Sequence, residues 1–170
     1  VIDSPVVADI SKTLDEAASA EINVSGTDAE GAILVYEIVT APSNGTFTLN
    51  SSTGIGYYTH NGSETISDSV VVRAKESSEN VYSSNATITL TVNAVNDSPV
   101  SPDSAITLDE GTSSFSTSFG ASDAETSSVT INVTSQGSYG SAVVSGGDFV
   151  YSHDGSESTS DTFTYSTSDG

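Results

Sequence analysis

The sequence predicts an all-β chain: two tandem antiparallel β-sandwiches, end to end, the second lacking its last strand. Three observations predict it. Apolar and aromatic residues recur at every second position in short runs, the period of a half-buried strand. Turn formers separate the runs, as in "PSNG" (42–45), "SSTG" (51–54) and "SGG" (145–147). One half of the chain also repeats the other. Asp3-Ser4-Pro5-Val6 returns as Asp97-Ser98-Pro99-Val100 and Leu14-Asp15-Glu16 as Leu108-Asp109-Glu110, each 94 positions on. Asp28-Ala29-Glu30 returns as Asp123-Ala124-Glu125 after 95, and His60 as His153 after 93. A unit of about 94 residues is the size of a seven-strand sandwich, so the domains are read as 1–95 and 96–170.

The elements follow in order. "AILVYEIV" (32–39), "TFTL" (46–49), "SVVVRA" (69–74) and "ATITLTV" (86–92) are strands of the first repeat. "VTINV" (129–133) and "DTFTYS" (161–166) are strands of the second. "LDEAASAEI" (14–22) is the one stretch of helix-friendly composition, but its counterpart "LDEGTSSFS" (108–116) is not, so no helix is expected there. Phe47, Tyr58, Tyr151, Phe163 and Tyr165 share the phase of the core aliphatics, whereas Tyr57 is out of phase with Tyr58 and faces outward. In the first repeat the strand at 70–74 is followed by the strand at 86–92; in the second, "FTYST" (163–167) is followed only by Ser168-Asp169-Gly170. A sandwich without that last strand exposes unpaired backbone groups and a strip of core. The second domain as written is therefore not expected to be autonomous: either the natural chain continues with such a strand, or another molecule's strand fills the gap.

Composition narrows the function. The chain has 23 acidic and 3 basic residues (Lys12, Arg73, Lys75) and a formal net charge of −20. Such a polyanion is repelled by nucleic acid and anionic membranes and attracts cations. There is no cysteine, hence no disulfide or thiolate chemistry. No window reaches the ~18 apolar residues of a membrane span, and with no initiator Met the chain reads as a piece of something longer.

"SVVVRAKESSENVYSSNATITLTVNAVNDSPV" (69–100) resembles the end of a cadherin-like domain and its linker, where a strand, a loop and a final strand lead to an "N-D-N-x-P" connector. "YSHDGSESTSDTFTYSTSDG" (151–170), a near copy of "YTHNGSETISDSVVVRAKES" (58–77), resembles the cadherin-like and proteoglycan-type repeats of large bacterial surface adhesins. The resemblance implies a Greek-key, immunoglobulin- or cadherin-like sandwich in each repeat. It also implies Ca²⁺ where consecutive domains meet, a hard cation that takes oxygen ligands. Carried over residue by residue, the inter-domain junction would use Glu16, Glu64, Asn96, Asp97, Asp123, Glu125 and Asp169. The N-terminal junction would use Asp3, Asp28, Glu30 and Glu76, and the C-terminal one Glu110, Asp154 and Glu157. The sequence departs from the cadherin pattern at Ala94, where an acidic residue is usual, and at Asn61, where the second repeat keeps Asp154. Fewer anionic ligands imply one or two ions per junction, bound in the ~10⁻⁴–10⁻³ M range of extracellular modules.

Most of the 23 acidic residues read as solvated surface. His60 and His153 lie at equivalent places in separate domains, so they cannot share a metal or a proton, and each is expected to tie down the turn before its strand. A Ser-His-Asp triad or a pair of glycosidase carboxylates would need a cleft that a narrow sandwich seldom offers, so no enzyme is expected. The absence of Trp argues against an aromatic sugar-binding platform. The reading is a calcium-stiffened spacer in the stalk of an extracellular, cell-surface bacterial adhesin supporting cell adhesion or biofilm. Its partners would be neighbouring repeats of the same chain, with like molecules or surface polysaccharide as further candidates, no nucleic acid and no membrane insertion. The alternatives are a calcium-dependent polysaccharide- or protein-binding module of a secreted protein, or a subunit of a surface filament or layer.

Overall fold

The computed structural model describes residues 3–118 and 120–170, and every assigned element in them is a strand. The chain divides into two compact units, Val1–Val95 and Asn96–Gly170. In the first unit the strands are β1 (Val6–Val7), β2 (Ile10–Asp15), β3 (Ser19–Asn23), β4 (Gly26–Thr27), β5 (Leu34–Thr40), β6 (Gly45–Leu49), β7 (Ile55–His60), β8 (Ser67–Glu76) and β9 (Ala86–Asn93). They form a four-stranded sheet in the order β2-β9-β8-β5, a three-stranded sheet in the order β3-β7-β6, and the small pair β1-β4.

Alternation builds the core between these sheets. Val70, Val72 and Ala74 of β8 and Ala86, Ile88, Leu90 and Val92 of β9 point inward and are buried. They meet Ile22, Phe47 and Tyr58 from the opposite sheet. Burying one such aliphatic side chain contributes about 1.5–3 kcal/mol. Pairing is antiparallel except between β2 and β9, where the last strand of the unit runs parallel beside β2. The helix-friendly stretch 14–22 is the end of β2, a turn and the start of β3, and Ala17 takes a positive φ of 55° in that turn. Good helix formers lose here to strand pairing on both flanks.

The second unit contains β10 (Phe115–Thr117), β11 (Thr130–Ser135), β12 (Gly140–Ser145), β13 (Asp148–His153) and β14 (Thr164–Ser168). One sheet has the order β10-β13-β12, the other is the pair β11-β14. Gly146 and Gly147, at φ of 62° and 92°, make the tight turn between β12 and β13, a conformation that Gly adopts without steric cost. Phe149 is the hub of the core, with edge-on contacts at 5.0 Å to Phe163 and 4.8 Å to Tyr165.

Among the described residues no strand of this unit follows β14. Leu14, in the strand that β9 pairs with, is buried; its counterpart Leu108 is half-buried, and 104–109 forms no strand. A groove of about 220 Å³ lies there, lined by Ile106, Leu108, Tyr151, Asp161 and Phe163 among others.

Candidate metal centre

The alternation that makes the core also places a carboxylate at its rim. Glu76 has the phase of Val70, Val72 and Ala74, so it is the next inward position of β8 and is only 5% exposed. Its Oε1 is buried without a hydrogen-bond partner. Burial, then the charges of Asp28, Glu30 and Glu79, push its carboxyl above the ordinary range. Asp28 opens a turn in which Oδ1 accepts from Glu30 N (3.0 Å) and Ala32 N (2.9 Å), while Oδ2 is buried and unpartnered. Glu30 Oε2 in turn accepts from Asp3 N at 3.3 Å. The set assigned from the sequence to the N-terminal junction is thus gathered at one rim of the first unit.

The second unit repeats this arrangement. Asp123 Oδ1 accepts from Glu125 N (3.0 Å) and Thr126 N (2.8 Å), and Asp123 Oδ2 is buried without a partner. Glu125 Oε2 accepts from Asp97 N at 3.3 Å. Asp169, in the phase of Phe163 and Tyr165, stands where Glu76 stands and accepts a hydrogen bond from Asn96 Nδ2. Asn96, Asp97, Asp123, Glu125 and Asp169 are therefore brought together within one unit.

An orphaned carboxylate oxygen at each rim is what a bare cation site leaves behind, because an unpartnered buried polar atom otherwise costs about 1–3 kcal/mol. The donor set is all oxygen, the chemistry of Ca²⁺ rather than of a softer metal. The residues present fit the ion. Neither set draws three carboxylates into mutual contact within 4.8 Å among the described residues, so an ion would have to pull the outer, exposed ligands inward.

The remaining assigned residues are placed differently. Glu16 is buried in the turn after β2, accepts from Val95 N at 3.4 Å, and brings a carboxylate oxygen within 4.8 Å of one from Glu64. Glu110, Asp154 and Glu157 are all exposed, and Asp154 Oδ1 is taken by Ser156 N at 2.9 Å. Burial gathers none of these last three into a centre.

The two histidines organise turns. His60 Nδ1 accepts from Ala17 N (3.4 Å) and Gly62 N (3.3 Å), with Nε2 3.0 Å from Thr65 Oγ1. His153 does the same with Gly111 N (3.3 Å), Gly155 N (3.0 Å) and Ser158 Oγ (3.1 Å).

Sequence reasoning missed a second repeated polar device. Asp161 accepts from Tyr151 OH (2.7 Å), Ser138 N (2.8 Å), Tyr139 N (3.0 Å) and Thr162 N (2.9 Å). Burial pushes its carboxyl up, but these four bonds outweigh it and hold the group at about 2. Burial, and then the bond to Asp161, push the Tyr151 hydroxyl up to about 12. Asp68 and Tyr58 form the same clamp in the first unit. The signal was available, since Asp68 and Asp161 lie 93 apart, as His60 and His153 do.

Comparison with known proteins bears on the family and the fold. The profile of the bacterial Ig domain family matches twice, over residues 2–91 and 96–170. Among curated proteins, none matches. Among solved structures, human CDH23 EC21-23 is similar at a TM-score of 0.57 and 17% identity, covering 97% of this chain and 68% of that one. Extracellular cadherin domains 3-6 of protocadherin gamma B2 are similar at 0.53 and 18%, covering 88% of this chain and 38% of that one. An endo-fucoidan hydrolase of glycoside hydrolase family 107 follows at 0.47, too slight a likeness to carry an argument. The chain thus spans little more than a third of the protocadherin it matches. At such identities the likeness concerns the fold alone. The chain belongs to the bacterial Ig domain family and consists of two tandem repeats, cadherin-like in their fold.

Proposed function

We propose that the chain is a calcium-stiffened spacer from the stalk of a bacterial cell-surface adhesin, working outside the cell and supporting adhesion or biofilm. Its repeats hold Ca²⁺ at their rims and transmit force rather than perform chemistry. One observation carries the reading. At the same place in both repeats an Asp commits one oxygen to its own turn and leaves the other buried and unpartnered, beside a Glu and a carboxylate at a strand end.

The ion would be held in the first unit by Asp28, Glu30 and Glu76, with Asp3. In the second it would be held by Asp123, Glu125 and Asp169, with Asn96 and Asp97. Glu16 and Glu64 would complete the junction between the repeats from the first unit's side, and Glu110, Asp154 and Glu157 would do so for a following domain. Bound calcium supplies positive charge and a preference for several oxygens at once, which opposes the mutual repulsion of these carboxylates. Repeats joined this way would stiffen at each junction. The partners are then neighbouring repeats, with like molecules or surface polysaccharide met further along the stalk.

Small-angle scattering of the chain tests the stiffening. A longer and narrower distribution of dimensions in calcium than in EDTA is expected, with Asp123→Asn behaving in calcium as the wild type does in EDTA. Identical scattering in both conditions would overturn the spacer mechanism.

A further inference from the structure

The turn after β7 assembles what an asparagine needs in order to lose its side-chain amide. Asn61 is exposed and is followed by Gly62, whose φ of 77° and missing side chain leave the backbone nitrogen open. Gly62 N points its hydrogen at His60 Nδ1, 3.3 Å away. That nitrogen also accepts from Ala17 N at 3.4 Å, and Nε2 lies 3.0 Å from Thr65 Oγ1, so the ring carries its proton on Nε2 and its Nδ1 lone pair is shared between the Ala17 and Gly62 N–H groups. Asn61 Oδ1 accepts from Ser63 N at 3.1 Å, which polarises the side-chain carbonyl. Within three consecutive residues a backbone N–H thus faces a base and the neighbouring side-chain carbonyl faces a donor.

We infer that Asn61 is a self-modifying position, which His60 and Ser63 N–H convert from amide to acid in the folded protein. His60 Nδ1 removes the Gly62 N–H proton, and Gly62 N bonds to Asn61 Cγ. The Cγ–Nδ2 bond then breaks, and Nδ2 leaves as ammonia with the proton returned from His60. The resulting succinimide is opened by one water at either carbonyl, leaving an aspartyl residue or its isoaspartyl isomer in place of Asn61. The net change is amide plus water to carboxylic acid plus ammonia, with no oxidant or reductant. The equivalent turn of the second unit already holds the product residue. Asp154 has Ser156 N at 2.9 Å from Oδ1, and Gly155 N is 3.0 Å from His153 Nδ1. The inference stands independently of the calcium reading.

The chain contains its own control. Asn44-Gly45 is also an Asn-Gly pair, but Asn44 Nδ2 is held by Ser67 O at 3.1 Å, its backbone N–H by Asp68 at 2.8 Å, and Gly45 lies in β6. Peptide mapping by mass spectrometry after incubation at neutral pH gives both rates in the folded chain. A synthetic peptide of residues 57–66 gives the unassisted rate. Asn61 is expected to convert in the folded chain faster than in the peptide, while Asn44 stays slower. Asn61 converting more slowly in the fold than in the peptide would overturn the proposal. His60→Gln should slow Asn61 by on the order of 10²-fold, the lower end for a general base, with Asn44 unchanged. An unchanged Asn61 rate in that variant, with Asn44 still slow, would also overturn it. If the variant unfolds, Asn44 speeds up and reports it, and the folded-chain against peptide comparison decides alone.

Discussion

Acidification distinguishes the residues that hold each repeat together from those that hold it open. Asp161 accepts four hydrogen bonds as a carboxylate and is held at about 2, below the ~3.9 of an unfolded Asp. Its contribution to stability is therefore fully present above about pH 4 and is lost as pH falls toward 2. Asp161→Asn should flatten that acid dependence in melting curves. It should also lower stability at neutral pH by on the order of 1–3 kcal/mol, as donors in the clamp lose a charged acceptor. Glu76 is the opposite case. Burial, Asp28, Glu30 and Glu79 all disfavour its charge, so in calcium-free buffer at neutral pH the ionised side chain weakens the fold. Glu76→Gln should raise the melting temperature in EDTA and reduce the further rise on adding calcium. A variant that loses stability in EDTA would show that the Glu76 carboxylate is stabilised by its surroundings and not opposed by them.

At the scale of elements, β9 is the strand on which the first repeat turns. It lies between β2 and β8, and Ile88 and Leu90 are fully buried. Leu90→Ala should cost about 2–5 kcal/mol in equilibrium unfolding. In the second repeat 104–109 forms no strand, and among the described residues β14 pairs only with β11. Extending the chain beyond Gly170 with a short loop and the sequence of Ala86–Asn93 should raise the melting temperature of the second unit. Amides of 104–109 and of β14 should become protected from hydrogen exchange. No change in either would mean that the groove does not take a strand of this pattern.

The strands that sequence reading found are those whose alternation is strong and whose apolar residues are large, such as β8 and β9. It missed β2 and β3, where "ISKTLD" and "SAEIN" offer little hydrophobic signal and neighbouring strands impose the conformation. The candidate site was legible through the repeat. Asp28, Glu30 and Glu76 recur as Asp123, Glu125 and Asp169, and Glu76 carries the phase of a core residue. What could not be read was which oxygens a turn would use up and which it would leave buried and bare. Glu79, which acts on Glu76 by charge from the loop after β8, carries no periodic signal at all.

For the whole molecule the governing quantity is charge. With a net −20, every carboxylate gathered at a rim adds to the repulsion that the fold must absorb, and divalent cations are the natural counterweight. Calcium at 100 times a site's dissociation constant would stabilise that site by ~2.7 kcal/mol. The most direct test is thermal melting of the chain in calcium and in EDTA, at matched ionic strength so that screening alone cannot produce the shift. A higher melting temperature is expected in calcium, with a smaller gain in Asp28→Asn and in Asp123→Asn and an undiminished gain in the exposed control Asp103→Asn. Superimposable curves in calcium and EDTA for the wild-type chain would contradict it.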